Sequence, residues 1–162
     1  MRISNLKDED FVNYKKPSLF IGTCFCDFKC CDEAGIDRSI CQNYQLHHSK
    51  QHELSNEQIY ERYINNPMTS SIVIGGLEPI LQEEEVISLI EYFRSKNCMD
   101  DFVIYTGYTE EELFGNGSYE PYSSLKNVIF KFGRFKPNQE KHWDEVLGVY
   151  LISDNQYGKK VS

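Results

Sequence analysis

The chain has 162 residues, enough for one ordinary domain with a buried core and too few for two. Its formal net charge of −8, with 17 Lys and Arg against 25 Asp and Glu and no basic block, removes the attraction that drives phosphate-backbone binding, so no nucleic-acid partner is expected. No apolar run approaches the roughly 18 residues of a membrane span, and the opening MRISNLKDEDFVNYKK is unlike a signal peptide, so we expect no membrane partner and a cytoplasmic location.

Residues 1–16 read as a polar lead-in and residues 17–162 as a single domain. The run PSLFIGT at 17–23 predicts a buried strand that delivers the chain into residues 22–43, GTCFCDFKCCDEAGIDRSICQN, where five of the six cysteines lie. Ser55 and Gln58 then have the spacing of a capping box, and Ile59, Tyr60, Tyr63 and Ile64 share one face of a helix that ends before Pro67. SSIVIGG at 70–76 is a β-branched run closed by two glycines, as expected of an interior strand of a parallel sheet leading into a tight loop. Val86, Leu89, Ile90 and Phe93 keep helical spacing, with Glu83, Glu84 and Glu85 in the first turn and Lys96 at the end, the polarity that the helix dipole favours. The unit recurs: FVIY at 102–105 leads into Thr106 and Gly107, and Thr109 with Glu112 forms a second capping box before Leu113 and Phe114. NVIFKF at 127–132 and GVYLI at 148–152 are the fourth and fifth strand candidates.

Repetition of strand, glycine loop and helix means an α/β fold with a parallel sheet. Ligands of such sheets bind beyond the carboxyl ends of the strands, where the cysteine segment, the loop Gly75-Gly76-Leu77-Glu78-Pro79 and the loop Thr106-Gly107-Tyr108 would all meet. In a reducing compartment, clustered thiols hold metal or do redox chemistry more often than they form disulfides. The irregular spacing is nearer to an iron–sulfur loop than to a zinc knuckle. Cys24, Cys26, Cys30, Cys31 and Cys41 are the available ligands. A zinc-binding structural module using Cys24, Cys26, Cys30 and Cys31 with His47, His48 and His52 is the alternative from another class. Cys98, after the long helix, reads as a plain thiol. Arg134 and Lys136 fit either a partner's acidic patch or solvent.

Cys26 and Cys30 share the gap that opens the CX3CX2C motif of the radical S-adenosylmethionine superfamily, although Glu33 stands where its third cysteine belongs. Cys41-Gln42-Asn43 resembles the third cysteine, variable residue and asparagine that end the motif in the activating enzymes of that superfamily, which makes the spacing here CX3CX10C. GGLEP at 75–79 resembles the motif that holds the methionyl amine of S-adenosylmethionine. VIYTGYTEEEL, FKFGRF and SDNQYGKKVS resemble, in the same order, segments of the activating proteins of anaerobic ribonucleotide reductases. The resemblance covers residues 17–162.

That resemblance implies a shortened, open parallel (βα) partial barrel, a 4Fe-4S cluster and S-adenosylmethionine as cosubstrate. It implies Cys26, Cys30 and Cys41 as cluster ligands, and Gly75, Gly76, Leu77 and Glu78 with Asn43 and Thr106 around the cosubstrate. No catalytic residue is expected beyond the cluster and cosubstrate. The partner implied is the large subunit of an anaerobic ribonucleotide reductase, which receives a glycyl radical, with flavodoxin or ferredoxin as electron donor. An activase of another glycyl radical enzyme, or a small radical enzyme acting on a metabolite, is the nearest alternative within the same chemistry. A relative that binds a cluster without cleaving the cosubstrate is a further one.

Overall fold

The computed structural model describes residues 1–115 and 117–162. Strands β1 (Arg2–Ile3), β2 (Asn5–Asp10) and β3 (Ser18–Gly22) open the chain. The cysteine segment carries the short helices α1 (Lys29–Ala34) and α2 (Tyr44–His47), and β4 (His52–Glu53) with α3 (Asn56–Ile64) follows it. Next come β5 (Ser71–Gly75), α4 (Glu83–Ser95), β6 (Asp101–Tyr105), α5 (Glu110–Phe114) and β7 (Val128–Phe132). Three strands close the chain: β8 (His142–Asp144), β9 (Val149–Leu151) and β10 (Tyr157–Lys160).

The main sheet runs β10-β7-β6-β5-β3-β2. Its four central strands are parallel, and β2 and β10 pair antiparallel at the two edges, so the sheet is mixed and the fold α/β. The central strands are short apolar runs because both of their faces are covered. On one face Leu19, Ile72, Ile74, Phe102, Ile104 and Phe130 meet Ile59 and Tyr63 of α3 and Val86, Leu89, Ile90 and Phe93 of α4. Phe93 and Phe102 stand edge to face with centroids 5.1 Å apart; burial of each ring is worth about 1.5–3 kcal/mol. Among the described residues no helix packs into the cluster on the other face. There Val73, Val103 and Ile129 pack under Tyr14, from the segment between β2 and β3, and under Leu147 and Leu151 from the β8–β9 hairpin.

Both capping boxes form in full, at Ser55 with Gln58 and at Thr109 with Glu112, and each starts its helix where expected. Three expectations need correction. The lead-in over residues 1–16 is integral to the sheet: β2 pairs with β3 from Asn5↔Gly22 to Asp10↔Ser18, and its polar sequence suits an edge. The strand expected at 148–152 lies outside the main sheet, as β9 paired with β8, and the edge position belongs to β10, whose sequence YGKK has no apolar run. Finally, Ile64 is 52% exposed, because α3 reaches its last residue there and only Ile59 and Tyr63 are buried against the sheet.

Candidate metal centre

Because β3, β5, β6 and β7 run parallel, their following loops emerge along one sheet edge. The loop after β3 is tied down first: Thr23 donates to the Gly75 carbonyl from both its N–H, at 2.9 Å, and its Oγ1, at 3.1 Å. Cys24 is buried, and its N–H donates to Gln82 Oε1 at 2.6 Å. Phe28 then takes a left-handed conformation, φ 57°, which turns the chain into α1. Such a φ costs a non-glycine residue roughly 1–2 kcal/mol. Burial of the Phe28 ring, packed edge-on against His47 at 5.1 Å, offsets it.

Cys30 and Cys31 are successive on α1, with their sulfurs 3.9 Å apart. Cys31 is fully buried within the protein while Cys30 lines a cavity of about 210 Å³. The segment from Cys31 to Cys41 is a pair of local turns. The chain leaves α1 through Gly35, Asp37 accepts the Ser39 N–H at 2.8 Å to start a 3₁₀ turn over Arg38–Ile40, and Arg38 pairs back with Asp32 at 2.9 Å. This return places Cys41 on the same cavity as Cys26 and Cys30. Asn43 lines it too. Cys24 and Cys31 do not, and Cys98 lies on a different part of the fold, its Sγ 3.6 Å from Asp100 Oδ2.

The facing wall comes from the loop after β5. Gly76, Leu77 and Glu78 line the cavity, whereas Gly75 ends the strand behind it. Gly76 sits at φ 81°, and a Cβ there would come within 3.1 Å of Leu46 Cδ1 and 3.3 Å of Gly22 Cα, so this close approach of two loops requires glycine. Glu78 is only 5% exposed. Its Oε1 accepts from Thr106 Oγ1 at 2.8 Å and the Ile80 N–H at 3.1 Å, and its Oε2 from the Gly107 N–H at 2.8 Å. Burial pushes its carboxyl upward from the usual range, and these three donors oppose that push. The Glu78 N–H also donates to the Phe25 carbonyl at 2.7 Å, joining this wall to the cysteine segment.

A third feature was not read from the sequence. Lys131, the one charged residue of β7, is 7% exposed and lines the same cavity. Its Nζ donates to the Gly133 carbonyl at 2.7 Å and lies 5.9 Å from the Tyr105 ring centroid. Burial lowers its ammonium to about 8, against the opposing pull of Glu78 and Cys30. A charge inside an otherwise apolar parallel strand was the available signal.

Charge pairing surrounds the mouth. Arg134 forms ion pairs with Glu112, at 2.6 Å, and with Glu33, at 3.1 Å, so the acid at the position of the expected third cysteine holds a buried guanidinium. Lys29 reaches Glu112 at 2.5 Å, and Tyr108 donates to Asp27 at 2.7 Å. Of the two cations left open by sequence, Arg134 is therefore internal and Lys136 is exposed, 3.7 Å from Asp154.

The donor set fits a cluster better than a single ion. Among the described residues no three His, Cys, Asp or Glu side chains converge as one ion would require. Three cysteines instead stand around one cavity, and the corners of a cubane are spread more widely than the ligands of one metal. Burial pushes the Cys26 thiol up to about 11 and the Cys30 thiol up to about 12, with neighbouring acids and thiols adding to it, so metal binding at these thiols would release their protons. His47 and His48 are spent on aromatic contacts, with Phe28 and with Tyr44, and His52 is exposed on β4.

No helix among the described residues is long and apolar enough to cross a membrane. In comparisons with known proteins, no curated protein and no solved structure matches the chain. The model of one family, the 4Fe-4S single cluster domain, matches residues 18–153, from β3 through β9 and beyond, with the whole cysteine segment inside. A match of that extent leaves one conclusion: the chain belongs to the 4Fe-4S single cluster domain family and is an iron–sulfur protein.

Proposed function

We propose that the chain is a radical S-adenosylmethionine activating enzyme that generates the glycyl radical of an anaerobic ribonucleotide reductase. One observation carries the reading: Cys26, Cys30 and Cys41 face, across a single cavity, a buried glutamate presented by a glycine-glycine loop. Three thiolates on a four-iron cluster leave one iron for a cosubstrate. Cys26, Cys30 and Cys41 would hold that cluster, which would supply the single electron needed to split the sulfonium's carbon–sulfur bond and so to remove a hydrogen atom from a glycine of the partner.

The chain's own residues bind and orient. Glu78 has three of roughly four acceptor positions filled by fixed donors, which leaves one on Oε2 for the ammonium of the methionyl group. Because Thr106 and Gly107 already hold that carboxylate, it needs no rearrangement when the ligand arrives. Leu77 supplies apolar wall, and Asn43, beside Cys41, is placed to orient the cosubstrate. The open sheet, with antiparallel edges at β2 and β10, suits a shortened (βα) partial barrel whose cavity a large partner covers, excluding water with its own surface. A cytoplasmic location with flavodoxin or ferredoxin as donor fits this chemistry.

The zinc alternative is weaker, since it needs a four-ligand site that the described residues do not offer and the family is an iron–sulfur one. The test is to mix the reduced, cluster-loaded protein anaerobically with the reductase large subunit and S-adenosylmethionine. A glycyl radical signal in electron paramagnetic resonance is expected. Cleavage of the cosubstrate without that signal would assign the chain to another substrate.

A further inference from the structure

We infer that Phe28 is a positioning residue for the cluster: its ring, clamped by the segment that carries Cys41, holds its backbone N–H on Cys26 Sγ, and this hydrogen bond raises the cluster's reduction potential. The inference rests on Cys26 as a cluster ligand and is independent of which cosubstrate or partner the protein serves.

The Phe28 N–H donates to Cys26 Sγ at 3.3 Å. Among the described residues no other backbone donor reaches any of the three thiols that line the cavity. An N–H aimed at a ligating sulfur favours whichever state of the cluster carries more negative charge, and reduction adds one electron while every bond to the ligand stays in place. The contact matters at Cys26 because acids stand close to it: Asp27 follows it in the chain and Glu78 lines the same cavity. Both disfavour the added charge, and the nearby cations Lys29 and Arg134 are already paired with Glu112.

Phe28 is an unusual residue to carry this N–H. Its φ of 57° suits glycine or asparagine, and its side chain caps nothing at the start of α1. The ring explains the choice. It is 3% exposed, and three side chains from the far end of the cysteine segment surround it: Arg38 with its guanidinium carbon 5.3 Å from the ring centroid, His47 at 5.1 Å and Tyr44 at 6.2 Å. Arg38 precedes Cys41, and Tyr44 and His47 follow it, so the long return from Cys31 brings these residues onto the ring as it brings Cys41 onto the cavity. Glycine at this position would adopt the same φ with nothing to hold it there. The buried ring turns a disfavoured conformation into a fixed donor, which ties the ten residues between Cys31 and Cys41 to the electronic state of the cluster as well as to its third ligand.

The experiment measures the midpoint potential of the reconstituted cluster by anaerobic redox titration followed by electron paramagnetic resonance, without S-adenosylmethionine, together with the iron content of each variant. Replacing Phe28 by phenyllactic acid, an amide-to-ester change, deletes the N–H and keeps the ring. That variant should hold as much iron as wild type and titrate at a more negative potential, its reduction equilibrium weakened roughly 3–10-fold, about 30–60 mV for one electron. His47→Ala, which leaves the N–H in place and loosens the ring, should shift the potential the same way by less. An unchanged or less negative potential in the ester variant would overturn the inference, and so would loss of its iron, by assigning the N–H to cluster retention. A shifted ester variant beside an unshifted His47→Ala would overturn the part played by the ring. Cys26→Ala that keeps a full cluster would remove the ligand on which the inference rests. The cosubstrate reading stands or falls on cleavage, which this titration does not measure.

Discussion

Glu112 accepts both terminal N–H groups of Arg134, Nη1 at 2.7 Å on Oε2 and Nη2 at 2.6 Å on Oε1. The same carboxylate takes Lys29 of α1 at 2.5 Å and closes the capping box of α5 by accepting the Thr109 N–H at 2.9 Å. One side chain therefore joins the cysteine helix, the loop after β7 and the helix after β6. Its ionised form is strongly favoured, first by Arg134. Glu112→Gln should lower stability by about 1–2 kcal/mol and speed iron release to a chelator several-fold. Thermal unfolding and the rate of iron loss check this. Unchanged iron release would mean that the clamp does not restrain the cysteine segment.

Cys41 shares the cavity with Cys26 and Cys30, whereas Cys24 and Cys31 are buried and do not line it. After anaerobic reconstitution, Cys41→Ala should hold much less iron and sulfide than wild type, and Cys24→Ala and Cys31→Ala should hold nearly as much. Cys31 lies only 3.9 Å from Cys30, sulfur to sulfur, and is the one substitute a small shift of α1 could bring in. Full loading of Cys41→Ala with loss in Cys31→Ala would reassign the third ligand.

Glu78→Gln separates ligand binding from cluster binding. The amide keeps the side chain's shape but cannot accept from Thr106, Gly107 and Ile80 as two carboxylate oxygens do. Iron content should be unchanged and affinity for S-adenosylmethionine should fall roughly 10–100-fold. Affinity equal to wild type would remove Glu78 from the site.

Acid stability depends on Glu110, which accepts from Lys159 at 2.7 Å, from Tyr157 at 2.8 Å and from Tyr119, tying α5 to β10. Lys159, then Tyr119, hold its carboxyl down to about 2. A depressed folded-state pKa contributes stability that is present above the ordinary carboxylate range and is lost as pH falls from about 4.5 towards about 2. Lys159 is well exposed, so the contribution is discounted to about 1 kcal/mol. Glu110→Gln should be less stable than wild type at pH 7 by about that much, with the gap closing through this acid window. Urea unfolding as a function of pH checks it, and a gap constant with pH would contradict it.

Much of the architecture was legible because it is local. The strands at Ser71–Gly75 and Val128–Phe132 are apolar runs, and both capping boxes mark helix starts by hydrogen bonds within four residues. The meeting of the cysteine segment with the loops at Gly76 and Thr106 followed from parallel strands sharing an edge. Features that depend on distant partners were not legible. β10 holds its place by pairing with β7, by the Gly158 N–H on Asp144 Oδ2 at 2.8 Å and by Glu110, none of which marks YGKK as a strand. The segment between Cys31 and Cys41 has no periodicity, because it is built from Gly35, the Asp37 cap and the Arg38–Asp32 pair. Lys131 and Arg134 were visible as charges, but their burial depends on how β7 sits in the sheet.

The central claim is that the cavity holds a cluster able to cleave S-adenosylmethionine. Anaerobic reconstitution with iron and sulfide, then reduction with S-adenosylmethionine present and an assay for 5′-deoxyadenosine, tests it most directly. About four irons per chain and 5′-deoxyadenosine formed only with both reductant and cosubstrate are expected. A fully loaded cluster that yields no 5′-deoxyadenosine would contradict the claim.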